Sequence, residues 1–116
     1  MYGAILGDII GSPYEFDQNN IKTTDFELFS ERSEFTDDSI MTLAVAEGLM
    51  NCGIDAEEDV MKKSIIEAMK KYGKRYPFAG YGANFSMWLD EEDPKPYRSF
   101  GNGSAMRVSA AAWLCQ

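Results

Sequence analysis

Five consecutive residues, Phe35-Thr36-Asp37-Asp38-Ser39, gather hard oxygen donors at the mouth of an apolar run. Thr36 offers a hydroxyl, and Asp37 and Asp38 offer adjacent carboxylates. Ile40 to Ala46 follows, apolar on nearly every side, which predicts a buried helix with two negative charges at its start. Carboxylates near an interior need a partner, and an oxygen-only donor set suits Mg²⁺, Mn²⁺ or Ca²⁺. The same residues also make a good helix cap, with Thr36 accepting a backbone N–H and the aspartates complementing the positive helix end. The chain has no histidine. That excludes Ser-His and Cys-His nucleophiles and imidazole metal ligands, leaving acid–base work to carboxylates, Lys, Tyr or a metal-bound water.

Two further stretches carry polar groups in suggestive places. Glu15 lies between Tyr14 and Phe16, just after Pro13 ends an apolar segment; it reads either as a surface glutamate or as a second functional carboxylate. Ser99-Phe100-Gly101-Asn102-Gly103-Ser104 is a glycine-rich turn feeding a helix. Such a turn presents backbone N–H groups to a phosphate, with Ser99 and Ser104 as added donors and Phe100 as a stacking surface. It is also an ordinary Asn-Gly turn. It is neither a Walker loop nor a Rossmann fingerprint, because no strand precedes it.

The elements that must hold these groups are helical. Gly3, Gly7 and Gly11 are spaced by four along a first helix, a small-residue ridge that would let another helix approach. Residues 17–35 show no sustained period and read as a long loop, a flap between Glu15 and Thr36. A second helix is expected from Asp37 to Met50, stopping near Gly53. A third follows, capped by an Asp55/Glu58 box and stopped by Gly73, with Met61, Ile65, Ala68 and Tyr72 inward and Glu58/Lys62, Asp59/Lys63 and Glu67/Lys71 outward. Gly80-Tyr81-Gly82 opens a fourth. The acidic run 90–93 is a solvated surface loop, and Val108 to Cys115 is a last, apolar helix.

The composition bounds the function. The 116 residues are 45% hydrophobic, with seven Phe, six Tyr and two Trp, which fits one folded all-α unit. A net charge of −8 disfavours direct nucleic-acid binding and anionic membranes. No apolar run is long enough to span a bilayer. Cys52 and Cys115, far apart in apolar sequence, suit free thiols in a reducing cytoplasm. The last helix carries Trp113 and Leu114 to the end of the sequence without a cap, so a second copy, a protein partner or further chain is expected to cover it.

Taken together, Gly3-Ala4-Ile5-Leu6-Gly7-Asp8-Ile9-Ile10-Gly11-Ser12-Pro13-Tyr14-Glu15-Phe16, Phe35-Thr36-Asp37-Asp38-Ser39 and Gly101-Asn102-Gly103-Ser104-Ala105-Met106-Arg107 resemble the ADP-ribosylglycohydrolase family in order and spacing. The resemblance covers essentially the whole chain. It implies a compact all-α fold, a pair of Mg²⁺ or Mn²⁺ ions in a complete site, and cleavage of ADP-ribose from modified proteins or other conjugates. Thr36, Asp37 and Asp38 correspond to the family's N-terminal metal ligands, and Glu15 to its loop glutamate near the scissile bond. Glu15 or Asp37 is then the expected general base. Ser99, Phe100, Gly101, Asn102, Gly103 and Ser104 correspond to part of the ADP-ribose-binding loop, and Tyr81, Gly82 and Ala83 to a pocket-lining stretch. The family's C-terminal Gly-Asp-x-Asp-Thr motif is absent, so residues 1–116 look like the N-terminal half of the fold, truncated before the second group of ligands. Two functions are expected from this: a hydrolase completed by residues from elsewhere, or a catalytically dead derivative that binds protein, for example a phage-encoded inhibitor of a host defence complex.

Overall fold

The computed structural model describes residues 1–16 and 20–114, and among them the regular structure is entirely helical. Helices α1 (Tyr2–Gly11), α2 (Asp37–Cys52), α3 (Glu58–Arg75), α4 (Ala83–Asp90), α5 (Gly103–Met106) and α6 (Ser109–Leu114) are arranged about α2, with a 3-10 turn (Ser12–Tyr14) after α1. Cys115 lies outside the described residues. Cys52 is a half-buried free thiol whose Sγ donates to the carbonyl oxygens of Leu49 and Gly53.

Helix α2 forms where the hydrophobic pattern places it, and its ends are chemically explicit. Thr36 is extended at the N-cap, and its side-chain oxygen accepts from the Asp38 N–H. At the other end Gly53 takes φ 80°, the left-handed region that favours glycine, and its N–H returns to the Leu49 carbonyl. Ile40, Met41 and Ala44 pack with Met69, Phe85 and Leu89. Val45, Ala46 and Leu49 pack with Ala110 of α6. Burial on these two faces is what makes α2 the centre of the molecule.

Helix α3 departs from expectation at both ends. It begins at Glu58 with Glu57 in the cap position and no side-chain cap, so the Asp55/Glu58 box does not form. Gly73 does not stop it. The helix runs on to Arg75 because Gly73 is buried against α4, where a Cβ would stand 2.8 Å from Leu89 Cδ1. Tertiary contact overrides the local preference for a glycine terminus. Glu58 and Lys62 pair as expected. Lys71, however, turns to Glu47 of α2, whose other oxygen accepts from the Tyr72 hydroxyl at 2.8 Å. The Ser64 hydroxyl donates to the Gly48 carbonyl at 2.7 Å, a second polar tie between the helices.

The glycine ridge of α1 is open. A Cβ at Gly3, Gly7 or Gly11 would meet nothing within 4 Å, and α1 has no buried residue. The close helix approach happens elsewhere, at Gly48, where a Cβ would lie 2.6 Å from the Ile65 Cα. Backbone on the far side cannot swing away as a side chain can. Gly48→Ala is therefore expected to destabilise by about 1–3 kcal/mol through overpacking. Gly3→Ala should stabilise by about 0.5–1 kcal/mol through helix propensity. Urea unfolding of the two variants checks the contrast; equal effects would contradict the assigned helix contact.

Candidate functional site

The site begins with a residue that sequence reading passed over. Asp8, on the α1 turn facing α2, accepts from the Thr36 N–H with Oδ2 at 2.8 Å and from the Ser39 N–H with the same oxygen at 3.1 Å. Its Oδ1 accepts from the Thr36 hydroxyl at 2.6 Å. One carboxylate thus satisfies two N–H groups at the start of α2 and joins it to α1. A lone acid in an otherwise apolar, glycine-spaced helix was the available signal, since such a group needs a partner.

Asp37 and Asp38 follow on the first turn of α2, half-buried. The Asp37 N–H donates to the Ala79 carbonyl at 2.7 Å, which hooks the turn before α4 onto the site. Gly80 in that turn has φ 97°, and a Cβ there would be 3.7 Å from Asp37 Oδ1. From the other side, the Thr42 hydroxyl donates to the Met106 carbonyl at 3.2 Å and ties α5 to α2. Glu15 is exposed at the end of the 3-10 turn and lines two cavities with Asp38.

Three cavities meet around these acids. One of about 620 Å³ is lined by Glu15, Thr36, Asp37, Asp38, Arg75 and Tyr76 among others. A second, about 380 Å³, runs along the glycine ridge of α1 past Asp8, Glu15 and Asp38. A third, about 390 Å³, lies between Asp37, Gly82 and the 99–103 turn. Asn102 and Met106 border all three.

The expected substrate loop is only partly brought together. Ser99, Phe100, Gly101, Asn102 and Gly103 line the third cavity with Gly82 and Ala83. Ser99 Oγ accepts from the Gly101 N–H at 3.1 Å, and the Asn102 carbonyl accepts from the Ala105 and Met106 N–H groups. The helix that follows is one turn long, Gly103–Met106. Phe100 is fully exposed, and Ser104 is exposed outside that lining. Tyr81 borders a groove with Lys70, Lys74 and Pro77, its ring edge-on to Phe85, and its hydroxyl, buried without a hydrogen-bond partner among the described residues, is pushed up to about 12 by burial and then by Asp37. Arg107, which the sequence reading gave no role, lines the third cavity with its guanidinium over the Phe85 ring at 4.5 Å. A Cβ at Gly103 would stand 2.8 Å from its Nη2, so the guanidinium lies directly against the turn.

The electrostatics follow from this crowding. Burial, then Asp38, Glu15 and Asp8, push the Asp37 carboxyl up to about 6. Burial and then Asp8 raise Asp38, against the opposing hydrogen bond from Thr36. Burial, then Asp38 and Asp8, raise Glu15. Burial lowers Arg107, offset by Tyr97 and Asp37. Among the described residues none of Asp8, Glu15, Asp37 and Asp38 has a salt-bridge partner.

A hard cation fits this donor set. Its ligands would be the Thr36 hydroxyl and the carboxylates of Asp37 and Asp38, with Glu15 beside them. Among the described residues no three acids converge closely enough to enclose an ion by themselves, so these side chains form one wall of a site rather than a cage.

Fold and pocket together define an all-helical protein with an oxygen-rich acidic site at the mouth of its central helix. Its sequence matches the model of the ADP-ribosylglycohydrolase family over residues 1–116, the whole chain, and the chain belongs to that family. The family's hydrolases are generally metal-dependent and act on ADP-ribosylated substrates. No curated protein and no solved structure matches the chain. Among the described residues no helix is long and apolar enough to cross a membrane.

The raised carboxyls make a pH prediction for the metal-free protein. Asp37 holds its proton more firmly folded, near 6, than unfolded, near 3.8, so its contribution favours the fold at the acid end of that window. That contribution is lost as pH rises through about 6. Asp38 and Glu15 act in the same direction. Melting temperature should therefore fall between about pH 4 and pH 6 without metal, and Asp37→Asn should flatten the fall and raise the value at the neutral end. A Tm that rises over this range in the metal-free protein would contradict the assigned crowding.

Proposed function

We propose that the acids at the mouth of α2 serve Mg²⁺- or Mn²⁺-dependent hydrolysis of the ribosyl bond in ADP-ribosylated protein or a related ADP-ribose conjugate. The observation that supports it most is the convergence of Thr36, Asp37, Asp38 and Glu15 on cavities shared with the 99–103 turn. A divalent cation, one or two in a complete site, would be held by Thr36, Asp37 and Asp38, and when bound it supplies positive charge for ribose hydroxyls and a water. Further ligands would be waters or groups other than these three side chains.

The chain's own residues account for the rest. The reaction replaces the bond from the anomeric carbon to its leaving group with one to a water oxygen, with oxocarbenium character at the ribose. One proton must leave the water. Asp37 is one carboxylate in place to accept that proton; its value near 6 belongs to the cation-free site, and a bound cation would lower it. Glu15 is the other carboxylate in place, on the segment leading into the 20–35 stretch. Backbone N–H groups of the 99–103 turn, with Gly82 opposite, form the wall against which the diphosphate and ribose lie.

A second reading has its own support. Tyr2 of α1 is 87% exposed and Trp113 of α6 is 62% exposed, apolar surface suited to a protein contact rather than to turnover. Release of ADP-ribose from an ADP-ribosylated peptide separates the two. Hydrolysis should require Mg²⁺ or Mn²⁺, stop on chelation, and fall by about 10²–10⁴-fold in Asp37→Ala. Binding of ADP-ribose without any release would favour the binding module, and release insensitive to both chelator and Asp37→Ala would overturn the proposal.

A further inference from the structure

The hydrogen-bond count at Thr36 carries one step more, and it rests on the cation reading above. A hydroxyl has one proton to give and two lone pairs to accept with. The Thr36 proton goes to Asp8 Oδ1 at 2.6 Å, the shortest polar contact of this cluster. One lone pair takes the Asp38 N–H at 3.3 Å. What is left on Thr36 Oγ is a single lone pair, on a residue that borders the acidic cavity. The Asp38 carboxylate also draws on this hydroxyl, but Asp8 Oδ1 is the acceptor that holds it at hydrogen-bond distance, so with its proton on Asp8, Thr36 does not present it to the cavity.

We infer that Asp8 is a positioning residue for cation binding: it takes the Thr36 hydroxyl proton and so keeps Thr36 Oγ a pure acceptor toward the metal. The same carboxylate fixes the backbone around it. Its Oδ2 accepts from the N–H groups of both Thr36 and Ser39, which bracket Asp37 and Asp38, so the four residues are clamped as one turn. Asp8 itself does not touch the ion. Its effect passes through the orientation of Thr36 and through one added negative charge. Outer partners of this kind usually change metal affinity 10- to 100-fold when altered.

Asp8→Asn tests the orienting part. The amide oxygen can take over the two backbone N–H groups, which leaves the amide N–H₂ against Thr36 Oγ. The amide then donates to the lone pair, and the hydroxyl proton turns to the cavity side, toward the Asp38 carboxylate and the cation it would hold. Titration of Mn²⁺ alone into the full chain, read by electron paramagnetic resonance, should show Asp8→Asn weakened about 10- to 100-fold. Circular dichroism should show its helix content kept. Loss of charge weakens binding in any background, whereas loss of orientation needs the hydroxyl. In the Thr36→Val background the further effect of Asp8→Asn should therefore be several-fold smaller than in the wild type.

Equal effects in the two backgrounds would overturn the inference and leave the cation reading standing. A wild-type chain that takes up no Mn²⁺ would overturn both. Should Asp8→Asn fail to fold, Thr36→Ser against Thr36→Val decides. The serine variant keeps the hydroxyl and should bind as wild type, and equal affinity of the two would overturn the role given to Asp8.

Discussion

The rest of the structure depends on one carboxylate reaching across two helices. Asp8 leaves α1 and accepts three hydrogen bonds at the entry to α2, from two N–H groups and one hydroxyl. Helix α1 buries no residue fully, so this contact adds to the half-buried Ile5, Ile9 and Ile10 and to Met1 against the Val45 cluster in holding it in place. Helix α2 gains a partner for N–H groups that no internal carbonyl can reach. The acids beyond Thr36 then have a defined place to stand.

Other segments attach to the same few residues. The turn before α4 hangs on the Asp37 N–H through the Ala79 carbonyl, and α5 hangs on the Thr42 hydroxyl through the Met106 carbonyl. These are connecting stretches with little regular structure, and each is fixed where it meets the first turns of α2. Their position brings Gly82 and the 99–103 turn to a cavity that Asp37 also borders. The arrangement is costly for the free protein. Burial and mutual repulsion raise three carboxyls, and among the described residues no ion pair offsets them. Strained electrostatics of this kind are expected where a charged ligand is to be received, and they oppose stability until it is.

Much of this was legible in the residues. The unbroken apolar run after Thr36-Asp37-Asp38 placed α2 correctly, and the three motifs in order identified the family that the whole-chain match shows. What local pattern could not show was long-range pairing. Asp8 and Thr36 are separated by 28 positions, and nothing in either neighbourhood names the other. Gly73 looks like a helix stop until Leu89 is seen to occupy the space a side chain would need. Lys71 has a correctly spaced partner in Glu67 yet pairs with Glu47, because α2 lies on that face. The α1 glycines have the spacing for helix approach, but the close approach is at Gly48.

The most direct test of the central claim is an anomalous diffraction measurement on crystals of the chain soaked in Mn²⁺. A peak is expected at the mouth of α2, within coordination distance of Thr36 Oγ and of the carboxylates of Asp37 and Asp38. Asp8 should stand behind Thr36 and outside the coordination shell. No peak at that position, or one coordinated by Asp8 with Thr36 turned away, would contradict it.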